Sequence, residues 1–221
     1  MEHDESFERF KKNRQDMADQ LVREKCGLRY VGANLRSLEM PQEDAIKVSE
    51  WVKSRKNMLV YLGSPGSGKT YLCAALIKHC WPKFESVRFW RELDLMARLG
   101  ISMNKGMSAR AEIPFLIDDE FLIYDDLGSA GEDKDGQDGF KSGVIFDIID
   151  IRSASMKPTV ITTNLTIEEI HRRYHPRVPS RLFAQENCFI EIRDVDRRGS
   201  PPPPQPDPLA EQSKKPWDKP K

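Results

Sequence analysis

A chain of 221 residues with 35 Lys and Arg against 35 Asp and Glu has no net charge, so bulk electrostatics single out neither nucleic acid nor an acidic partner, and such a contact must come from a local patch. The length suits one domain with a substantial core plus extensions. Four cysteines, Cys26, Cys73, Cys80 and Cys188, form no Cys-x-x-Cys pair, which excludes a disulfide or zinc framework; the acidic start Met1-Glu2-His3-Asp4-Glu5 and the lack of any run of about eighteen apolar residues exclude a signal peptide and a membrane helix, implying a soluble, cytoplasmic protein.

From Ser6 to Lys25 the chain is highly charged, with Phe7, Phe10, Met17, Leu21 and Val22 spaced for one thin apolar stripe on a helix. Such a helix either docks on its own domain or binds a partner. Cys26-Gly27 reads as its stop. A second helix is expected from about Glu43 to Lys56, started by Met40-Pro41, with Ala45, Ile46, Trp51 and Val52 on or near one face.

Met58-Leu59-Val60-Tyr61-Leu62 reads as a buried strand and Tyr71 to Ile77 as a helix. Between them, Gly63-Ser64-Pro65-Gly66-Ser67-Gly68-Lys69-Thr70 fits the phosphate-binding pattern GxxxxGK[ST] in the strand–turn–helix context it requires. Glycines let backbone N–H groups converge on a polyphosphate at the positive end of the next helix. Lys69 would reach the β- and γ-phosphates and Thr70 would ligate Mg²⁺. Trp81-Pro82 then breaks the chain, Val87-Arg88-Phe89-Trp90 reads as a short strand, and Leu93, Leu95, Met96 and Leu99 follow at mostly helical spacing. Alternating strands and helices imply a parallel sheet covered on both faces.

Two acidic phrases come next: Phe115-Leu116-Ile117-Asp118-Asp119, and Phe121-Leu122-Ile123-Tyr124-Asp125-Asp126-Leu127-Gly128. In a P-loop protein an apolar strand ending in acids supplies a carboxylate to the Mg²⁺ shell and a second acid to the attacking water. The second phrase is read as that strand, because Leu127-Gly128 ends it like a strand entering a loop. The first is read as the end of the preceding helix, with solvated carboxylates. Residues 129–139 read as a mobile acidic loop; Asp133, Asp135 and Gly136 match a calcium loop only in part, and the required glutamate is missing.

Phe140 to Ser153 reads as a helix and Pro158 to Asn164 as a buried strand ending in an amide. Thr166-Ile167-Glu168-Glu169 has capping-box spacing and starts another helix. His171 and His175 stand four apart there, but Arg172 occupies the place of a zinc protease's glutamate and no third ligand is evident, so they read as surface histidines. Seven arginines from Arg172 to Arg198 face four acids, either as a solvated basic face or for bidentate phosphate recognition. The tail from Gly199 holds eight of the fifteen prolines and is expected to be disordered or polyproline II.

In order and spacing, these motifs resemble the AAA+ ATPases of the DnaC/IstB type, which include replicative-helicase loaders and transposition helper ATPases. The resemblance covers about Leu28 to Arg198: Leu28-Arg29-Tyr30 and Trp51, the P-loop with its flanks, Asp125-Asp126-Leu127-Gly128, Thr162-Thr163-Asn164 and Arg177-Val178-Pro179-Ser180-Arg181-Leu182. It implies an α/β fold, a P-loop AAA+ three-layer sandwich with a central parallel sheet, over residues 28–198, preceded by a helical extension (1–27) that would grip a helicase and followed by the proline-rich tail (199–221).

It also implies roles. Gly63, Ser64, Pro65, Gly66, Ser67, Gly68, Lys69, Thr70 and Tyr71 would hold ATP; Thr70 and Asp125 would hold Mg²⁺; Asp126 stands where many relatives carry the catalytic glutamate. Asn164 resembles sensor 1, Arg181 the arginine finger offered to a neighbouring subunit's nucleotide, and Arg197 or Arg198 sensor 2, with Arg198 favoured. The expected function is an ATP-dependent loader that binds a replicative DNA helicase, assembles into a ring or spiral and assists loading onto single-stranded DNA. Hydrolysis would be slow and assembly-dependent. A transposition helper is the alternative within the family; a small-molecule or nucleotide kinase and a non-hydrolysing adaptor are alternatives outside it. The acidic loop after Gly128 would repel phosphate and weakens the expectation of DNA binding.

Overall fold

Strands buried on both faces need no polar alternation, and the apolar runs of this chain form such strands. In a computed structural model, which describes residues 2–106, 108, 113–114, 118–132, 139–193 and 196–197, β1 (Met58–Gly63) and β4 (Thr159–Thr163) are buried along their whole length. With β2 (Val87–Arg91), β3 (Phe121–Leu127) and β5 (Cys188–Ile192) they make a five-stranded sheet in the order β2-β3-β4-β1-β5, parallel throughout. The tail from 198 onward, the segment 133–138 with its calcium-loop reading, and Phe115 to Ile117 lie outside the described residues.

Side chains alternate across this sheet into two cores. Leu59, Tyr61, Phe89, Phe121 and Ile190 pack with α1 (Glu2–Lys25), α2 (Gln42–Ser54) and α3 (Lys69–Cys80). Met58, Val60, Leu62, Leu122 and Ile161 pack with α4 (Glu92–Asn104), α5 (Phe140–Ala154), α6 (Ile167–Arg173) and α7 (Arg177–Leu182). The result is a sheet between two helical layers.

The face that α1 buries keeps Val22 and, in part, Leu21 of the expected stripe but not Phe10 and Met17. Ala18, Val22 and Cys26, four residues apart, are fully or almost fully buried beside α3, whereas Phe10 and Met17 are 58% and 52% exposed. Small side chains allow the two helices to approach closely; Arg14, donating to the carbonyls of Trp81 and Phe84, and Lys78, 3.1 Å from Asp19, tie the junction. The side chain of Phe7 lies outside the described residues. In α2, Val48, Trp51 and Val52 are buried while Ile46 turns toward solvent.

Asp119 is not solvated as its sequence context suggests. Only 7% exposed, it takes the guanidinium of Arg88 at 2.6 Å. Nearby Arg152, with no exposed surface, donates to Thr159 Oγ1 (2.7 Å) and to the carbonyls of Asp119 and Pro158 (both 2.8 Å). These bonds satisfy backbone groups at the amino ends of β3 and β4, the end opposite the P-loop. Burial lowers the Arg152 guanidinium to about 10, opposed by Asp119.

Candidate nucleotide site

Because the strands are parallel, their carboxyl ends share one edge of the sheet, where ligands bind in open α/β folds. The P-loop leaves β1 there, Asp125 and Asp126 lie near the end of β3, and Asn164 follows β4.

The P-loop is folded tightly on itself. Tyr61 donates its hydroxyl to Ser67 O at 2.8 Å, and Ser67 N donates to Ser64 O at 3.1 Å. Gly63 is required by close approach, since a Cβ there would stand 2.2 Å from Ser67 Oγ and 3.0 Å from Ile192 O. Gly68, at φ 98°, supplies the left-handed turn that launches α3. Lys69, 6% exposed, donates its ammonium hydrogens to Gly63 O (2.8 Å), Ser64 O (3.0 Å) and Asn164 Oδ1 (2.6 Å). Burial holds its pKa below the ordinary lysine range, against the pull of Asp126 and Asp125.

Asn164 bridges two functional groups. Its Oδ1 accepts from Lys69, and its Nδ2 donates to Asp126 Oδ1 at 3.2 Å. Asp126 sits at a break in the β3–β4 register between Tyr124 and Leu127, with φ 58°. Thr162 on β4 serves both acids there. Its hydroxyl donates to Asp125 Oδ1 at 2.5 Å and accepts from Asp126 N at 3.0 Å. Asp125 is 1% exposed, and burial raises its pKa, with Thr162 opposing.

The donor chemistry fits a magnesium nucleotide. Among the described residues no three His, Cys, Asp or Glu side chains form a closed metal cage; Mg²⁺ is instead typically held by one or two carboxylates together with substrate phosphates. Asp125 and the hydroxyl of half-buried Thr70 would provide such a partial shell. A phosphate cradle is consistent with Ser67 Oγ, a buried hydroxyl without a hydrogen-bond partner among the described residues.

Other expected residues lie apart. Tyr71 accepts the Asn34 amide at 3.4 Å and packs into the core on the α1–α3 side of the sheet. Pro65 is exposed, and Ser64 and Gly66 are half-buried. Arg181 on α7 pairs with Asp150 at 2.9 Å, with 49% of its side chain exposed. Arg198 lies outside the described residues, but Arg197 reaches the P-loop: its N donates to Gly66 O at 3.0 Å, its guanidinium donates to Ser67 O, and Glu39 stands 3.5 Å away.

Several supporting residues carry no local sequence signal. Glu92, 1% exposed, accepts the amides of Gly128 (2.6 Å) and Ala130 (3.3 Å), fixing the exit from β3. Arg193 donates to the carbonyls of Asn164 (3.3 Å) and Leu165 (2.9 Å). Glu132 pairs with Arg172 (3.3 Å) and Arg173 (3.0 Å), so this acid of the expected repelling loop is partly neutralised. The capping box forms as read, with Thr166 accepting from Glu169 N. α6 ends at Arg173, however, so His171 and His175 do not share a helix; their rings face Phe183 and Phe146.

The family model described as IstB-like ATP binding protein matches residues 8–178. The replicative helicase loader DnaC of Escherichia coli (strain K12) is 29% identical over 132 residues, 59% of this chain and 52% of DnaC. The crystal structure of the DnaC helicase loader is similar at TM-score 0.60 and 26% identity, over 74% of this chain and 99% of that one. A structure of the replication initiator DnaA bound to AMPPCP and single-stranded DNA, at 18% identity and TM-score 0.61 over 74% of this chain and 50% of that one, shares the fold. The chain spans about half the length of the curated relatives it matches.

Proposed function

The chain belongs to the IstB-like ATP binding protein family and has the P-loop AAA+ fold of a DnaC/IstB-like protein, and we propose that it is an ATP-dependent loader that binds a replicative DNA helicase and assists its placement on single-stranded DNA. The observation that carries this reading is the similarity to the DnaC loader structure along 99% of that chain. No helix among the described residues is long and apolar enough to cross a membrane, and we assign the protein to the cytoplasm.

At the site, Lys69 would exchange its P-loop carbonyls for β- and γ-phosphate oxygens. Thr70 and Asp125 would hold Mg²⁺, which supplies charge neutralisation to a transferring phosphoryl group. Asp126, oriented by Asn164, would align the attacking water. Its carboxylate is one methylene shorter than glutamate's, which supports slow turnover. Sensor 2 would be Arg198, as the motif order favours, or Arg197, whose contact with Ser67 O supports that alternative.

Arg181 supports a role between subunits, since its side chain pairs with half-buried Asp150 rather than with the P-loop of its own chain. A ring or spiral would deliver it to the neighbouring site, where a cation stabilises transition-state charge. Exposed Phe10 and Met17, seven residues apart on α1, suit an apolar contact with the helicase.

Affinity capture from the native host, with the full chain as bait and ATP present or absent, tests the reading. ATP-dependent recovery of the replicative helicase, reduced by Phe10→Asp with Met17→Asp, is the expected result. Recovery of a transposase without a helicase would make the protein a transposition helper instead.

A further inference from the structure

Arg91 ends β2 and pairs in register with Asp125 on β3. Its guanidinium is shared between two parts of the molecule. Nη2 donates to the carbonyl of Lys25, the last residue of α1, at 2.6 Å, and Nε lies 4.0 Å from Asp125 Oδ2. The carbonyls ending a helix lack intrahelical donors and carry the negative end of its dipole. Arg91 is therefore held by charge at both places.

The surrounding corner is closed. The amides of Cys26 and Gly27 both turn back to Val22 O, at 2.8 and 3.0 Å. Cys26 is 6% exposed, and Cys73 on α3 places its thiol 3.8 Å from Asp125 Oδ1. Arg91 thus joins the end of α1 to the acid strand, while Phe10 and Met17 of the same helix are exposed.

We propose that Arg91 is a positioning residue coupling α1 to Asp125, so that metal–nucleotide occupancy and the binding of a partner on α1 are felt by each other. The proposal rests on the ATP-binding reading and goes beyond it. A guanidinium presents its donors in a rigid fork, so a shift in one partner is passed to the other. With a divalent cation at Asp125, Arg91 is repelled from the carboxylate and strengthens its hold on Lys25 O. Coupling is reciprocal: a partner that moves α1 changes Mg²⁺ affinity by the same factor.

Hydrogen exchange of the full chain tests this in three states: without nucleotide, with ATP in EDTA, and with ATP and Mg²⁺. ATP should protect the amides of Gly66 to Thr70 in both nucleotide states, whereas the amides of Cys26 and Gly27 should slow about threefold or more only when Mg²⁺ is present. Arg91→Gln should keep the P-loop protection and lose the Mg²⁺-specific change. Arg91→Lys keeps the charge, but one ammonium cannot hold both partners, and it should lose the change as well.

Cys26 and Gly27 amides indifferent to Mg²⁺ in the wild type, or a folded variant of either kind responding like the wild type, would overturn the coupling. An unprotected P-loop in the wild type would overturn the ATP-binding reading and this coupling with it, a result told apart by the Gly66 to Thr70 amides themselves.

Discussion

The ammonium of Lys69 and the side-chain carbonyl of Asn164 stand 2.6 Å apart, joining residues 95 positions apart in sequence. The orientation of the Asn164 amide follows from its neighbours, because the Lys69 ammonium can only donate and Oδ1 of Asp126 takes the amide hydrogen. Asn164→Ala would leave the phosphate cradle intact and release both groups. ATP turnover should fall about 100-fold while affinity for a fluorescent ATP analogue changes less than about threefold. A parallel loss of affinity would make Asn164 part of the binding cradle rather than an organiser of the reaction.

Thr162 hydrogen-bonds at both acid positions of β3, donating to the Asp125 carboxylate and accepting from the Asp126 amide. Thr162→Val keeps the volume and removes the hydroxyl, leaving a buried carboxylate and a backbone amide without that partner. Unfolding in urea should show a loss of about 1–3 kcal/mol. Thr162→Ser should restore most of it, and a fully stable valine variant would mean that other groups or water serve both acids.

Glu92 makes stability depend on pH in an unusual direction for a carboxylate. Burial raises it from 4.5 to about 7, against the pull of the Gly128 and Ala130 amides and of Lys141 and Arg173. With the folded value above the unfolded one, the favourable contribution is fully present below 4.5 and is lost as pH rises through about 7. The shift corresponds to about 3 kcal/mol. Compared with Glu92→Gln, the wild type should therefore lose relative stability by about that amount between pH 4.5 and 8, as read by urea denaturation. Equal pH slopes for the two proteins would contradict the burial argument.

The parts of this molecule legible in its sequence are those whose signal is local. The P-loop, its strand and its helix lie within one short stretch, and the acid strand was told from its near copy by the Leu127-Gly128 exit. β5 gives little sequence signal because Cys188–Ile192 is short, only partly buried and set among arginines, and pairing with β1 defines it. Arg91-Glu92 looks like a polar strand–helix junction; only the neighbouring position of β3 turns it toward Asp125 and Gly128. Asp119 reads as solvated because its partner Arg88 lies on β2, 31 residues earlier in the chain. On α1, periodicity favoured the large side chains, whereas close packing against α3 selected Ala18 and Cys26.

Arg181 leads to a prediction about concentration. If it acts on the neighbouring subunit, Arg181→Ala should reduce turnover about 1000-fold under conditions that favour assembly, with little change for the dilute chain. ATPase rate measured against protein concentration separates the cases. A variant as active as wild type at high concentration would remove the finger from the mechanism.

The backbone at Asp126, left-handed at φ 58°, restricts which acid can occupy that place. Asp and Asn enter this conformation most readily among residues with a side chain, because a short polar group can bond locally; other residues are disfavoured there by about 1–2 kcal/mol. Lengthening the acid to recover the usual reach would thus strain the bend that brings the Asp126 amide to Thr162. Asp126→Glu should lower thermal stability without speeding turnover, and faster chemistry in this lineage would require repairing the strand register before changing the acid.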